Sequence, residues 1–240
     1  MGPGGASRLM SERFAVYYAP NPEGALWHLG SAWLGRDAYR DRELPRPEFP
    51  SLALLDLEAL TAAPRGYGFH ATLRAPFEPV AGVGEAELSA ALNALADRLV
   101  PFEEHLEVAS LGRFIALRPT GAGAALRTLH EAALEAFEPF RAPLGDADLA
   151  RRRRAGLTDA QEGYLQAWGY PYVREYFRFH MTLTGPLASA LRPAPILAVL
   201  RAYFSAALAA PVPFDGLGLY HQAHREAPFR LVHWAPLRGV

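Results

Sequence analysis

His70 and Thr72 stand two residues apart in Phe69-His70-Ala71-Thr72-Leu73, and the pattern returns 110 positions later as Phe179-His180-Met181-Thr182-Leu183. Each copy continues through two residues into a proline, Pro76 and Pro186. In an extended strand, side chains at i and i+2 share a face. Each copy therefore presents an imidazole beside a hydroxyl on one side and apolar residues on the other. An imidazole titrates near pH about 6.5, so one can remove a proton while another delivers one. Phosphodiester hydrolysis needs both transfers, and positioned groups of this kind contribute about 10²- to 10⁴-fold. It also needs donors to the phosphoryl oxygens whose charge grows, a task within reach of threonine hydroxyls.

The same alternation adds candidates for substrate binding. Arg74 follows Thr72 at i+2 and Arg178 precedes His180 at i−2, which puts both guanidiniums on the catalytic faces. There each can pair bidentately with a phosphate. Tyr67 lies three residues before His70, on the other parity of a regular strand but close to its start, where alternation fails most easily.

Other clusters read more plainly. His221 and His224 are separated by two residues, but two ligands without a nearby third do not make a metal site, so no metal is expected. The run Arg151 to Arg154 reads as a solvated helix face, with recruitment of an anionic substrate or RNA as the alternative. Asp146 and Asp148 beside it make local ion pairs, and Trp27, Trp33 and Trp168 read as core or cleft wall.

Composition removes several chemistries. The chain has no cysteine, so disulfides, thiolate zinc sites and cysteine nucleophiles are excluded. All 24 basic residues are arginine, which excludes the lysine-dependent P-loop, Schiff-base enzymes and nucleotidyl-lysine ligases. A formal net charge of −1 argues against a general nucleic-acid binder, although an arginine-lined pocket is compatible with it. No apolar stretch reaches the roughly 20 residues of a membrane span. The opening residues, Met1 to Leu9, lack the charged start and apolar core of a signal peptide, so cytoplasm is the expected compartment.

Positioning these groups requires strands and helices in a recurring order. Patterning predicts a strand over Arg13 to Tyr18, a helix over Leu26 to Leu34, a proline-rich connection over Leu44 to Pro50 and a short helix from the cap Asp56 to Ala62. The first motif strand follows from Tyr67 to Leu73, then a helix over Glu85 to Leu99 and a hairpin of Glu104 to Ala109 with Arg113 to Arg118. A helix is expected over Ala124 to Phe137 and a further helical region over Ala147 to Trp168. The second motif strand, Glu175 to Thr184, is followed by a helix over Pro195 to Ala209 and strands over Val212 to His221 and Phe229 to Trp234.

Motif strand, helix, strand, strand thus occurs twice. The expected architecture is α+β: a single bilobal domain by internal duplication, with antiparallel sheets lining a central cleft and helices packed outside. Residues 10–140 form the first lobe with His70, residues 141–240 the second with His180, and residues 1–9 a flexible tail before Met10. A pseudo-two-fold axis between the lobes would bring the two histidines to opposite sides of one bound group.

With its two H-x-T motifs, each preceded by phenylalanine, the chain resembles the 2H phosphoesterase superfamily, which includes bacterial RNA 2′,5′ ligases and cyclic nucleotide phosphodiesterases. The strings Tyr67-Gly68-Phe69-His70-Ala71-Thr72-Leu73 and Phe177-Arg178-Phe179-His180-Met181-Thr182-Leu183-Thr184-Gly185 are similar, more narrowly, to the branch associated with phosphonate-degradation operons. Tyr17-Tyr18-Ala19-Pro20, Leu26-Trp27 and Gly30-Ser31-Ala32-Trp33-Leu34-Gly35-Arg36-Asp37 extend the likeness over most of the chain. The resemblance implies that His70 and His180 are the acid-base pair, that Thr72 and Thr182 hold the phosphate, and that neither metal nor other cofactor takes part.

Three functions follow as expectations. The first is a metal-independent phosphoesterase opening a cyclic phosphodiester or related small phosphoester, in the setting of phosphonate metabolism. The second is RNA end processing, by opening a 2′,3′-cyclic phosphate or by 2′,5′ joining. The third is a non-catalytic protein that binds a phosphorylated ligand. The expected partner is a small phosphorylated substrate, with RNA second and no membrane. The substrate, the assignment of acid and base between the histidines, and the oligomeric state are left open by the sequence.

Overall fold

Alternation in the first strand sorts its residues between two apolar clusters. Phe14, Val16 and Tyr18 enter the main core, while Ala15 and Tyr17 join a smaller cluster with Trp27, Tyr220 and Phe229. The computed structural model describes residues 12–53, 55–154, 156–188 and 192–239; the expected tail and Met10 lie outside the described residues. In chain order the first elements are β1 (Arg13–Tyr18), α1 (Ala25–Leu34), β2 (Arg36–Asp37), β3 (Arg42–Glu43), α2 (Leu57–Tyr67), β4 (Ala71–Phe77), α3 (Glu85–Ala96) and β5 (Phe102–Glu104). They continue with β6 (Leu106–Leu111), β7 (Phe114–Pro119), α4 (Ala124–Phe137), α5 (Asp146–Arg153) and α6 (Asp159–Trp168). The last are β8 (Met181–Thr182), α7 (Pro193–Phe204), β9 (Val212–Phe214), β10 (Gly216–Gln222) and β11 (Arg230–Pro236).

Seven strands form one antiparallel sheet in the order β11-β10-β1-β4-β8-β7-β6, and the pairs β2-β3 and β5-β9 stand apart from it. Helices pack on the sheet through residues at helical spacing: Leu88, Leu92 and Leu95 of α3 by β10, Leu126, Leu129 and Phe137 of α4 by β4, and Ile196, Leu200 and Phe204 of α7 by β6. The α+β class follows from that layering. Where separate sheets were expected for two lobes, the two motif strands instead pair with each other inside one sheet. Among the described residues no helix is long and apolar enough to cross a membrane.

Several expected boundaries move. Helix α2 runs to Tyr67 rather than Ala62, straight through Pro64, and the strand that follows begins at Ala71 rather than Tyr67. Proline cannot donate to the carbonyl four residues back. The carbonyl of Leu60, left free in this way, accepts instead from the amide of Gly185 at 2.7 Å, so the break in the helical ladder docks the turn after the second motif. The second motif strand shrinks from Glu175–Thr184 to Met181–Thr182, because a 3-10 turn occupies Arg174–Tyr176 and both Leu183 and Thr184 turn their amides to the carbonyl of Ile115. The helical region expected over Ala147 to Trp168 is divided into two helices, α5 and α6. Thr158 starts α6 with reciprocal side-chain bonds, its hydroxyl accepting from the Gln161 amide at 3.3 Å and the Gln161 side chain from the Thr158 amide at 3.0 Å.

Candidate active site

β4 and β8 meet with Ala71 opposite Met181. One step along an antiparallel ladder then sets His70 across from Thr182 and Thr72 across from His180, all on one face. Phe69, Ala71, Leu73, Phe179, Met181 and Leu183 are buried on the other side, where the Trp33 indole also donates to the Leu183 carbonyl at 2.7 Å. The histidines were expected to face each other across a gap between lobes. They stand diagonally on a single sheet surface, each across from the other motif's threonine, because the edges of the two motif strands pair directly.

Both imidazoles are held in the same way. His70 Nδ1 donates to the carbonyl of Gly68 at 2.9 Å, and His180 Nδ1 to that of Arg178 at 2.7 Å, in each case the residue two positions earlier. A carbonyl can only accept, so Nδ1 carries the hydrogen and Nε2 is left for other chemistry. His70 Nε2 lies 3.4 Å from the hydroxyl of Thr72. Its ring stacks on Tyr17 with centroids 4.0 Å apart and lies near Tyr67 at 5.8 Å, while Phe114 flanks His180 at 5.6 Å. Burial pushes the pKa of His70 down to about 4; the Gly68 carbonyl opposes this and the neighbouring His180 adds to it. Burial also lowers His180, against the Arg178 carbonyl. Both shifts favour the neutral ring, more strongly for His70.

A cavity of about 510 Å³ is lined by His70, Thr72, Thr182, Tyr17 and Tyr67. A neighbouring cavity of about 310 Å³ takes in His180, Arg178 and Phe114, and the two share Thr72, Ala75 and Tyr170. His130 borders the second cavity; its Nδ1 bonds the Leu73 carbonyl at 2.7 Å and its ring stacks on Phe177 at 4.0 Å, which ties α4 to β4 behind the motif.

Arg178 lines the cavity of His180, and its guanidinium donates to the carbonyls of Glu175 and Phe177. Tyr67 ends α2 instead of starting a strand, is 42% exposed, and stacks on Phe229 at 5.3 Å. Arg74 departs from its expected place. It is 1% exposed, pairs with Glu138 at 2.6 Å, donates to the Trp168 carbonyl at 3.0 Å, and lines neither cavity. The cause is a register shift: Tyr17 faces Thr72 but Val16 faces Arg74, so β4 carries an extra residue at Leu73 and alternation slips. Ala75 takes the cavity position assigned to Arg74 by parity. Glu138→Ala is expected to lower stability by about 1.5–3 kcal/mol by leaving that guanidinium without its carboxylate. Urea unfolding checks this; a loss under about 0.5 kcal/mol would show the pair to be idle.

Motif reading did not reach Arg13, Tyr17, Tyr170 and Arg225, which line the larger cavity with Arg151 and Arg152. Parity in β1 puts Arg13, Ala15 and Tyr17 on one face, but only the pairing of β1 with β4 makes it the face of the histidines. The arginine run is divided in its contacts, with Arg153 bonded to Glu162 on the surface and Arg151 and Arg152 turned to the cavity. Asp148 pairs locally with Arg151 at 2.7 Å and also, across the chain, with Arg225 at 2.7 Å. His221 pairs with Glu12 at 2.9 Å, and among the described residues no three histidine or carboxylate side chains gather as a metal-binding group.

A family model described as "protein of unknown function (DUF1045)" matches residues 72–230. The chain belongs to this family. Among its relatives, a protein called ribose 1,5-bisphosphate phosphokinase PhnN from Laribacter hongkongensis (strain HLHK9) is 43% identical over 229 residues, covering 95% of this chain and 53% of that protein. A protein of the same name from Janthinobacterium sp. (strain Marseille) is 37% identical over 229 residues, covering 92% and 49%. The DUF1045 chain thus spans about half the length of these curated relatives. The crystal structure of TT0787 of Thermus thermophilus aligns with 95% of this chain and 98% of its own at 17% identity and a TM-score of 0.45, too distant to bear on function.

Proposed function

We propose that this chain is a 2H-type, metal-independent cyclic phosphodiesterase acting on a small phosphorylated molecule. The observation that carries the reading is the pairing of Ala71 with Met181, which supports two H-x-T sets converging on one group. In the proposed step, His70 Nε2 takes a proton from water as the water oxygen attacks phosphorus. The ring P–O bond breaks, and the leaving oxygen takes the proton from Nε2 of protonated His180. Thr72 and Thr182 donate to the non-bridging oxygens as their charge rises. Assigning the base to His70 follows from its stronger resistance to protonation. An entering phosphodiester anion favours the charged form of His180 and so prepares the acid.

The kinase in the relatives' name needs a separate home. This chain has no lysine for a P-loop of the usual kind, so we place the phosphokinase in the half of those proteins that it does not span. A ribose cyclic phosphate is then a fitting substrate, since opening its ring yields a phosphate monoester of ribose, the class of compound named for the kinase.

A panel of nucleoside 2′,3′-cyclic phosphates, ribosyl 1,2-cyclic phosphates and an RNA oligonucleotide, followed by phosphorus NMR, tests the proposal. Ring opening to a monoester in the presence of EDTA is the expected result. Inactivity towards every cyclic ester, or loss of activity on chelation, would overturn it. The profile of kcat/KM against pH should be a bell. Its acid limb lies near pH about 4, where His70 protonates, and its alkaline limb lies below the ordinary histidine value, where His180 of the free enzyme loses its proton. Bound anion should displace the kcat profile to higher pH. A kcat/KM profile flat from pH 4 to 7 would remove the two histidines from the proton transfers.

A further inference from the structure

The larger cavity is lined by His70, the two threonines and four arginines; Arg13 lies four residues along β1 from Tyr17, which stacks on His70, and the arginines differ in how their charge is met. Arg225 bonds Glu78 at 2.7 Å and Asp148 at 2.7 and 3.0 Å, and Arg151 bonds Asp148 at 2.7 Å. Arg13 has a neutral partner, the side-chain oxygen of Gln222, which its Nε reaches at 2.8 Å. Arg152 lies over the Tyr170 ring at 5.0 Å, and its Nε is buried without a hydrogen-bond partner among the described residues. Among the described residues no carboxylate forms an ion pair with Arg13 or Arg152. Burial, and repulsion from the other arginines of this cavity, lower the pKa of both, although Asp148 draws Arg152 the other way without contacting it as an ion pair. Beside them Tyr17 keeps a buried hydroxyl with no hydrogen-bond partner among the described residues.

We propose that Arg13 and Arg152 form a second anion subsite that holds a terminal, non-reacting phosphate monoester of the substrate while the histidine end of the same cavity works on the cyclic ester. The inference rests on the phosphodiesterase reading for its reacting end only. A monoester near neutral pH carries close to two negative charges and three acceptor oxygens. It matches two guanidiniums that no carboxylate among the described residues contacts as an ion pair, and a planar guanidinium can take its oxygens in pairs. A carboxylate would leave one positive charge unmet. A cavity of about 510 Å³ is large enough for a sugar carrying phosphates at both ends. The substrate class is therefore a sugar cyclic phosphodiester that bears a second phosphate.

Paired kinetics on ribosyl 1,2-cyclic phosphate, with and without a 5-phosphate, test the subsite in the full chain. The 5-phosphate should raise kcat/KM by about 10²-fold, and Arg13→Gln and Arg152→Gln should each shrink that ratio by about tenfold. A general structural defect would lower both substrates together and leave the ratio, and that outcome, like a wild-type ratio near one, overturns the proposal. Calorimetric titration with ribose 5-phosphate, against ribose, reads the subsite without turnover. If neither cyclic ester is hydrolysed but ribose 5-phosphate binds and the variants lose it, the catalytic reading falls and the subsite stands. No binding of ribose 5-phosphate above that of ribose overturns the subsite whatever the kinetics show.

Discussion

Replacing His70 or His180 by alanine is expected to cut turnover of a cyclic phosphodiester by about 10²- to 10⁴-fold while the fold survives. Survival is expected because both imidazoles lie on the cavity face of the sheet, whereas the core contacts of the motifs come from Phe69, Leu73, Phe179 and Leu183. Each ring has its Nδ1 bonded to a carbonyl of its own segment, so truncation strands no distant partner. Groups that serve one transition state are not additive, and the double variant should lose little beyond the worse single one. Steady-state rates beside circular dichroism provide the check. A double variant that hydrolyses the ester at the parental rate would remove both histidines from the chemistry.

Gly68→Ala is expected to be costly for stability and for catalysis together. Gly68 closes α2 at φ 81° and ψ 178°, a conformation open to glycine and few others, and an added Cβ would sit 2.5 Å from the Cβ of Ala38. The backbone strain contributes about 1–3 kcal/mol. The steric conflict contributes a similar amount, about 1–3 kcal/mol. The Gly68 carbonyl also orients His70, so whatever movement relieves the clash turns the ring away from its Nε2 geometry. Urea unfolding and kcat measured on the same preparation test this. A variant as stable and as active as the parent would show that the turn yields without moving the histidine.

Much of the site was legible because its residues carry their own period. Phenylalanine, histidine, threonine and leucine at alternating positions separate core from cavity in any extended segment, and the burial of the two motifs follows that separation. Parity stopped being a guide where β4 bulges at Leu73, and Arg74 went from the cavity to a buried pair with Glu138. Helix α2 outran its expected end because the carbonyl freed by Pro64 found the Gly185 amide, a partner 125 positions from Leu60 that no local pattern announces.

The sequence by itself determined the chemistry available to this chain: two H-x-T segments, no thiol, no lysine, and a near-neutral charge met by arginine alone. Those are properties of residue type and short spacing, which survive any packing. Only the tertiary structure decided how the groups meet, with β4 and β8 edge to edge in one sheet, Tyr17 under His70, and Arg13 and Arg152 lining the same cavity. Strand order, register and the slip at a bulge are settled by contacts between segments far apart in the chain, where hydrophobic faces and unpaired backbone groups must all be satisfied at once.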